Sequence, residues 1–120
     1  MSPSTHDFST HDYLRHILDE IHYLINQTAG LSKEAFVFDE TLKRAFVRSL
    51  EIIGEAARKL PQEFWSAYPD IRWQRMTGMR NRMIHEYFGI DYGIVWDVVV
   101  NKIPLLGKQI EQILATASEE

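Results

Sequence analysis

No cysteine occurs among the 120 residues. That excludes a disulfide scaffold, a zinc ribbon and a thiol nucleophile, and it suits a reducing compartment. No uninterrupted apolar run approaches the roughly 20 residues that a membrane span needs. The polar stretch from Met1 to Asp12 lacks the apolar core of a secretory signal. A soluble, cytoplasmic chain with no membrane partner is expected. The six glycines are scattered singly, so no phosphate-cradling glycine loop can be read and no nucleotide site is expected. Glu-x-x-His, which helical bundles use twice to hold paired metals, is missing; Asp19-x-x-His22 is the nearest match. Asp12 with His16, and His16 with Glu20, read as solvated pairs on a helix face, and His6 and His11 fall in or near a polar tail. Neither a metal nor a cofactor is expected.

What is present is helical periodicity. Leu14, Ile17, Leu18, Ile21, Leu24 and Ile25 recur at three- and four-residue intervals and predict a helix from about Thr10 to Thr28, closed by Ala29-Gly30. Residues 1–9 are expected to be a flexible tail, and Ser32–Phe36 a short helical turn or loop. Asp39 is the expected N-cap of a second long helix, with Leu42, Ala45, Phe46, Ile52, Ile53, Ala56, Ala57 and Leu60 on its apolar face and Pro61 as its stop. Gly54, Ala56 and Ala57 would admit another helix at close range. A short helix from Pro61 to about Ala67 precedes a turn at Pro69. A third long helix starts between Ile71 and Trp73 and runs to about Glu86, with Met76, Met79, Met83 and Ile84 as core candidates.

Gly89 breaks that helix and Asp91 caps a fourth. This one carries Ile94, Val95, Val98, Val99, Ile103, Leu106, Ile110, Ile113 and Leu114 on one stripe. Pro104 lies inside the stripe and should kink it or split it. Val98-Val99-Val100 could pass for a strand, but no second strand candidate exists to pair with it. The economical architecture is one all-α domain over residues 1–120, an antiparallel up-and-down four-helix bundle with extra short helices and a Pro-kinked C-terminal helix.

Net charge is −4, which alone speaks against a polyanionic partner. Its distribution says otherwise. The window Ile71–His85 holds Arg72, Arg75, Arg80 and Arg82 with no acid, leaving nine cations against 17 acids, or −8, for the rest. A local basic surface on an acidic body can bind a polyanion at one place, although a solvated arginine-rich face would look the same. Arg75 and Arg82 are candidate contacts for RNA phosphates.

The polar groups with chemical capacity gather between Arg80 and Tyr87. On a helix Asn81 and His85 share a face, and Arg80 and Tyr87 share a neighbouring one. Arg80 and His85 lie about 140° and roughly 7.5 Å apart along the axis. A long arginine could therefore share a phosphate-sized ligand with the imidazole, while Asn81 fixes one tautomer or touches the substrate. These groups suit cleavage of RNA, which brings its own nucleophile, the 2′-hydroxyl. Such a reaction needs no metal, only a proton-transfer group titrating near neutrality and a cation to meet charge on phosphorus. One histidine is an incomplete set, and a twofold dimer pairing the Arg80–Tyr87 segments would supply a second. Each residue also has a plainer reading: a solvated histidine near a helix end, a surface arginine, a core tyrosine with its hydroxyl at the rim. Trp65, Trp73 and Trp96 read as core or interface anchors, and the methionines as core filling or a contact stripe.

The stretch Gly78–Phe88 (GMRNRMIHEYF), followed by Asp91 and Ile94-Val95-Trp96, resembles the HepT group of HEPN proteins. The likeness extends upstream to Ser49–Ala57 (SLEIIGEAA) and to Pro69-x-Ile71-x-Trp73, covering about two-thirds of the chain in the right order. The resemblance implies a dimerising helical bundle whose R-x-x-x-x-H motif, here Arg80 and His85 with Asn81 after the arginine, is a metal-independent ribonuclease centre. It implies a toxin paired with a nucleotidyltransferase antitoxin of the MntA type, which transfers AMP from ATP to a tyrosine, here Tyr87. It implies cellular RNA, tRNA or mRNA, as substrate. The rival within the same fold is a binding module that partners the nucleotidyltransferase and has little nuclease activity.

Overall fold

A computed structural model describes residues 8–85 and 89–118, with Ile84, His85, Ala117 and Ser118 described by backbone alone. Seven helices and no strand occur among the described residues: α1 (Thr10–Thr28), α2 (Lys33–Val37), α3 (Glu40–Lys59), α4 (Gln62–Ala67), α5 (Trp73–His85), α6 (Tyr92–Asn101) and α7 (Ile103–Ser118). The four long segments of the all-α bundle are α1, α3, α5 and the α6–α7 pair. None of these helices is long and apolar enough to cross a membrane.

The boundaries follow from local chemistry. Ser9 caps α1 with a reciprocal pair: its hydroxyl accepts from the Asp12 N–H at 3.1 Å, and the Asp12 carboxylate accepts from the Ser9 N–H at 3.0 Å. Of the segment 1–9, residues 1–7 lie outside the described residues. Phe8 packs edge-on against Tyr13 and His16 of α1. Gly30, at φ +76°, supplies the left-handed turn that follows α1. Asp39 caps α3 by accepting from the Leu42 N–H at 2.9 Å, and Asp91 caps α6 through the N–H groups of Gly93 and Ile94.

The stripe around Pro104 divides. The Lys102 N–H closes α6 on the Val98 carbonyl, and Pro104 becomes the second residue of α7. There its missing N–H costs nothing, because the first turn of a helix has no partner for it. Of the two expected outcomes, a kink or a split, the chain takes the split.

The core is continuous across the bundle. Leu14, Ile17, Ile21 and Leu24 of α1 meet Phe46, Leu50, Ile53 and Ala57 of α3, with Ile110, Ile113 and Leu114 closing from α7. Phe36 of α2 sits fully buried between Phe46 and Trp96, with ring centroids at 4.6 and 5.6 Å. Each such side chain removed from water contributes about 1.5–3 kcal/mol. Leu42, Ala45 and Ile52, expected in the core, are only half-buried, whereas Ser49 is buried. Ser49 is tolerated there because its hydroxyl donates to Glu20 on α1 at 2.6 Å.

Candidate active site on the third long helix

Helix α5 is anchored at both its start and its middle. At the start, the Trp73 indole N–H donates to the Tyr68 carbonyl and Trp65 donates to the Ala57 carbonyl, each at 3.1 Å. The two indoles stack with centroids 6.4 Å apart, and Phe64 packs edge-on against Trp73. The aromatic cluster thus ties α4 and the first turn of α5 to the end of α3. Trp65 and Trp73 act as anchors, as expected, and Trp96 is a core residue.

At the middle, Gly54 lets the two backbones touch. A Cβ there would collide with the Arg80 Cβ and lie 2.6 Å from the Met76 carbonyl oxygen. The close approach expected of Gly54 is therefore made by α5, at the position of Arg80.

Arg80 is half-buried, with 26% of its side chain exposed, and two carboxamide or carboxylate groups hold its guanidinium. Its Nε forms an ion pair with Oε2 of Glu55 at 3.1 Å, and its Nη1 donates to Oδ1 of Asn81 at 2.7 Å. Asn81 is thus bound to its neighbour. His85 ends α5 five residues further on, and its side chain, like the whole of Tyr87, lies outside the described residues.

Sequence reasoning missed Glu55. It stands on α3, beside the glycine that brings Arg80 close, and also receives Arg58 through Nη2 at 2.7 Å and Nε at 3.3 Å. The hydrogen bonds from Arg58, and then the charges of Arg58, Arg80 and Lys59, hold the Glu55 carboxyl below its ordinary range against the opposing effect of its partial burial. Glu55 is therefore ionised near neutral pH, and the Arg58–Glu55–Arg80 trio carries one net positive charge. A signal for it did exist. Glu55 directly follows Gly54, where a close helix approach was already legible.

Arg75 and Arg82 occupy a different face of α5. With Met76, Met79 and Met83 they line an open groove of about 920 Å³ that runs between α5, α6 and α7. Arg80 does not line it. Met76 and Met83 are buried, and Met79 is half-buried in the groove wall. Ile94, expected in the core, is 57% exposed on this groove, and Leu105 beside it is 62% exposed. Helix α6 turns Val95, Trp96 and Val99 inward, which leaves Ile94 on its groove side. Arg72, Arg75, Arg82 and Lys102 make the rim mainly basic, with Asp70 and Asp91 among them. No group of three acidic or histidine side chains assembles as a metal site among the described residues.

The fold and the site define an all-helical bundle that presents a tethered arginine five residues before a histidine on one helix, beside a groove with a mainly basic rim. Residues 14–113 match the family described as ribonuclease HepT-like. The protein named "Putative RNase TTE0752" from Caldanaerobacter subterraneus subsp. tengcongensis is 51% identical over 102 residues, spanning 85% of this chain and 91% of the relative. The "Probable ribonuclease HepT" of Thermococcus cleftensis is 37% identical over 102 residues, covering 85% of this chain and 93% of its own. No solved structure gives a significant match. The chain belongs to the HepT-like ribonuclease family.

Proposed function

We propose that the chain is a metal-independent endoribonuclease, the toxin of a toxin–antitoxin pair, which cuts cellular RNA at a site built on Arg80 and His85. The observation that carries this reading is the half-buried Arg80 guanidinium, tethered by Glu55 and Asn81 five residues before His85 in a ribonuclease family. The tether leaves the end of the guanidinium fork for two phosphate oxygens, where charge accumulates as the reaction proceeds.

In the reaction the ribose 2′-oxygen attacks phosphorus as the bond to the 5′-oxygen breaks. The products are a 2′,3′-cyclic phosphate and a 5′-hydroxyl. One imidazole takes the proton from the 2′-hydroxyl, and a second, protonated one gives a proton to the departing 5′-oxygen. Within one chain the other described histidines, His11, His16 and His22, are all on α1, and α1 packs on α3 and α7. The second imidazole is then His85 of the partner subunit in a homodimer.

A second copy would cover the groove between α5, α6 and α7, and Arg75 and Arg82 on it would then face the partner subunit and not RNA phosphates. The groove's exposed Ile94 and Leu105 lie on an apolar floor, and its mixed rim of four cations with Asp70 and Asp91 can pair with its own symmetry mate. Leu105→Asp is expected to shift the protein from dimer to monomer in sedimentation velocity with its helical circular dichroism unchanged. A wild-type monomer with full nuclease activity would end the dimer reading.

Silencing would fall to a nucleotidyltransferase antitoxin that AMPylates Tyr87, two residues beyond His85. The added phosphodiester would set a negative charge beside the cationic site and repel incoming RNA. Intact-mass measurement after co-expression with a neighbouring nucleotidyltransferase should show additions in AMP-sized steps that vanish in Tyr87→Phe.

The decisive experiment is expression alone. Wild type should arrest growth and His85→Ala should not, with end-mapping of total RNA identifying the cut. Equal tolerance of both would leave the chain as a binding module for its partner.

A further inference from the structure

We propose that Glu55 is a positioning residue for the reaction, acting through Arg80 by fixing the direction in which its guanidinium meets phosphate. The inference rests on the ribonuclease reading above and adds to it a residue from a different helix.

The geometry begins with Gly54. Because no Cβ intervenes, the α5 backbone lies directly against α3 at Arg80. The next side chain along α3, Glu55, then reaches the Nε of Arg80 without leaving the seam. Nε is the only guanidinium nitrogen bonded to the flexible stem, so an ion pair there restrains rotation of the whole planar group. The Asn81 contact at Nη1 adds a second restraint on the same plane. A planar fork held at two points is pre-organised for a bidentate ligand, and little entropy remains to be lost when the phosphate arrives.

A carboxylate beside a phosphate-binding arginine would ordinarily repel the substrate. Here Arg58 takes both Glu55 oxygens, at 2.7 and 3.3 Å, and offsets that charge. Glu55 can therefore orient Arg80 while the cluster stays cationic. Arg58 is too exposed for this pair to be a major source of stability, and surface pairs of this kind contribute little to folding. Positioning is the role that the arrangement serves.

The test is a double-mutant cycle on the purified full-length protein with a defined RNA substrate. Glu55→Ala is expected to lower kcat by about 10- to 100-fold, with KM changed no more than about threefold. In the Arg80→Ala background the same substitution should cost nothing further, because the group it orients is gone. Glu55→Gln keeps the shape and an acceptor oxygen but loses the charge, so it should fall between wild type and Glu55→Ala at an unchanged melting temperature. It also stands in should the alanine variant fold poorly. Wild-type kcat in both Glu55 variants, with Arg80→Ala still strongly impaired, would overturn the proposal and leave the nuclease reading intact. So would a loss that adds in full to that of Arg80→Ala. A wild-type protein that leaves RNA uncut would overturn both readings together.

Discussion

Arg80→Ala is expected to reduce RNA cleavage by about two to three orders of magnitude in kcat, the usual cost of removing one pre-organised donor to a developing oxyanion. Its cost to stability should be small. Arg80 is a quarter exposed, and Glu55 keeps its two-point contact with Arg58 when Arg80 is removed. No carboxylate is stranded, so a loss within about 1 kcal/mol is expected. Arg80→Lys separates charge from geometry. A lysine retains the positive charge but has no Nε to pair with Glu55, no second arm for Asn81 and no planar fork for phosphate. It should recover less than about a tenth of the lost activity. Single-turnover cleavage with matched unfolding curves would check both halves. A lysine variant with near wild-type kcat would mean that Arg80 acts as a point charge and that its tethering is incidental.

That contrast between charge and geometry also describes what the sequence could convey. Helix positions were legible because the cues were local. Asp39 and Asp91 each cap the helix they precede, Gly30 follows α1, and Pro61 stands just past α3. Burial was legible along the stripe of α1, where Leu14, Ile17, Leu18, Ile21 and Leu24 are buried and only Ile25, near the end of the helix, is exposed. It was misjudged where a helix faces two ways. Ile94 follows the apolar spacing of α6 yet lies on the groove, because Val95, Trp96 and Val99 already fill the core side. Ser49 was missed for the opposite reason. A polar residue reads as surface until its acceptor, Glu20, arrives 29 residues away in sequence.

The candidate site divides along the same line. Arg80, Asn81 and His85 announce themselves by type and spacing on one helix. Asn81 reads by spacing as a partner of His85 or of the substrate, whereas its Oδ1 accepts from Arg80. Glu55 is 25 residues upstream on α3, and only the tertiary seam joins it to Arg80. Helical spacing within α5 cannot reveal such a residue, whereas a small residue flanked by a charge on a neighbouring helix can.

Gly54→Ala should be the most damaging glycine-to-alanine change in the protein. Two effects oppose each other. Alanine in place of a mid-helix glycine favours α3 by about 1 kcal/mol through backbone entropy. Against this, the new methyl would collide with the Arg80 Cβ and sit 2.6 Å from the Met76 carbonyl oxygen. Neither obstacle is the far end of a flexible side chain. A Cβ and a backbone carbonyl yield only if α5 moves as a body, and α5 is pinned at its start by the stacked Trp65 and Trp73. Overpacking of this sort costs about 1–3 kcal/mol, and more where the backbone must shift. The clash should win, with a net loss of about 2 kcal/mol and a melting temperature lower by roughly 10 °C. Moving α5 outward also stretches the Glu55–Arg80 ion pair, so cleavage should fall further than the folded fraction does. Denaturant unfolding read beside kcat would separate the two losses. An alanine variant as stable as wild type would show that helix propensity prevails and that the seam is looser than described; the placement of Arg80 against α3 would then lose its foundation.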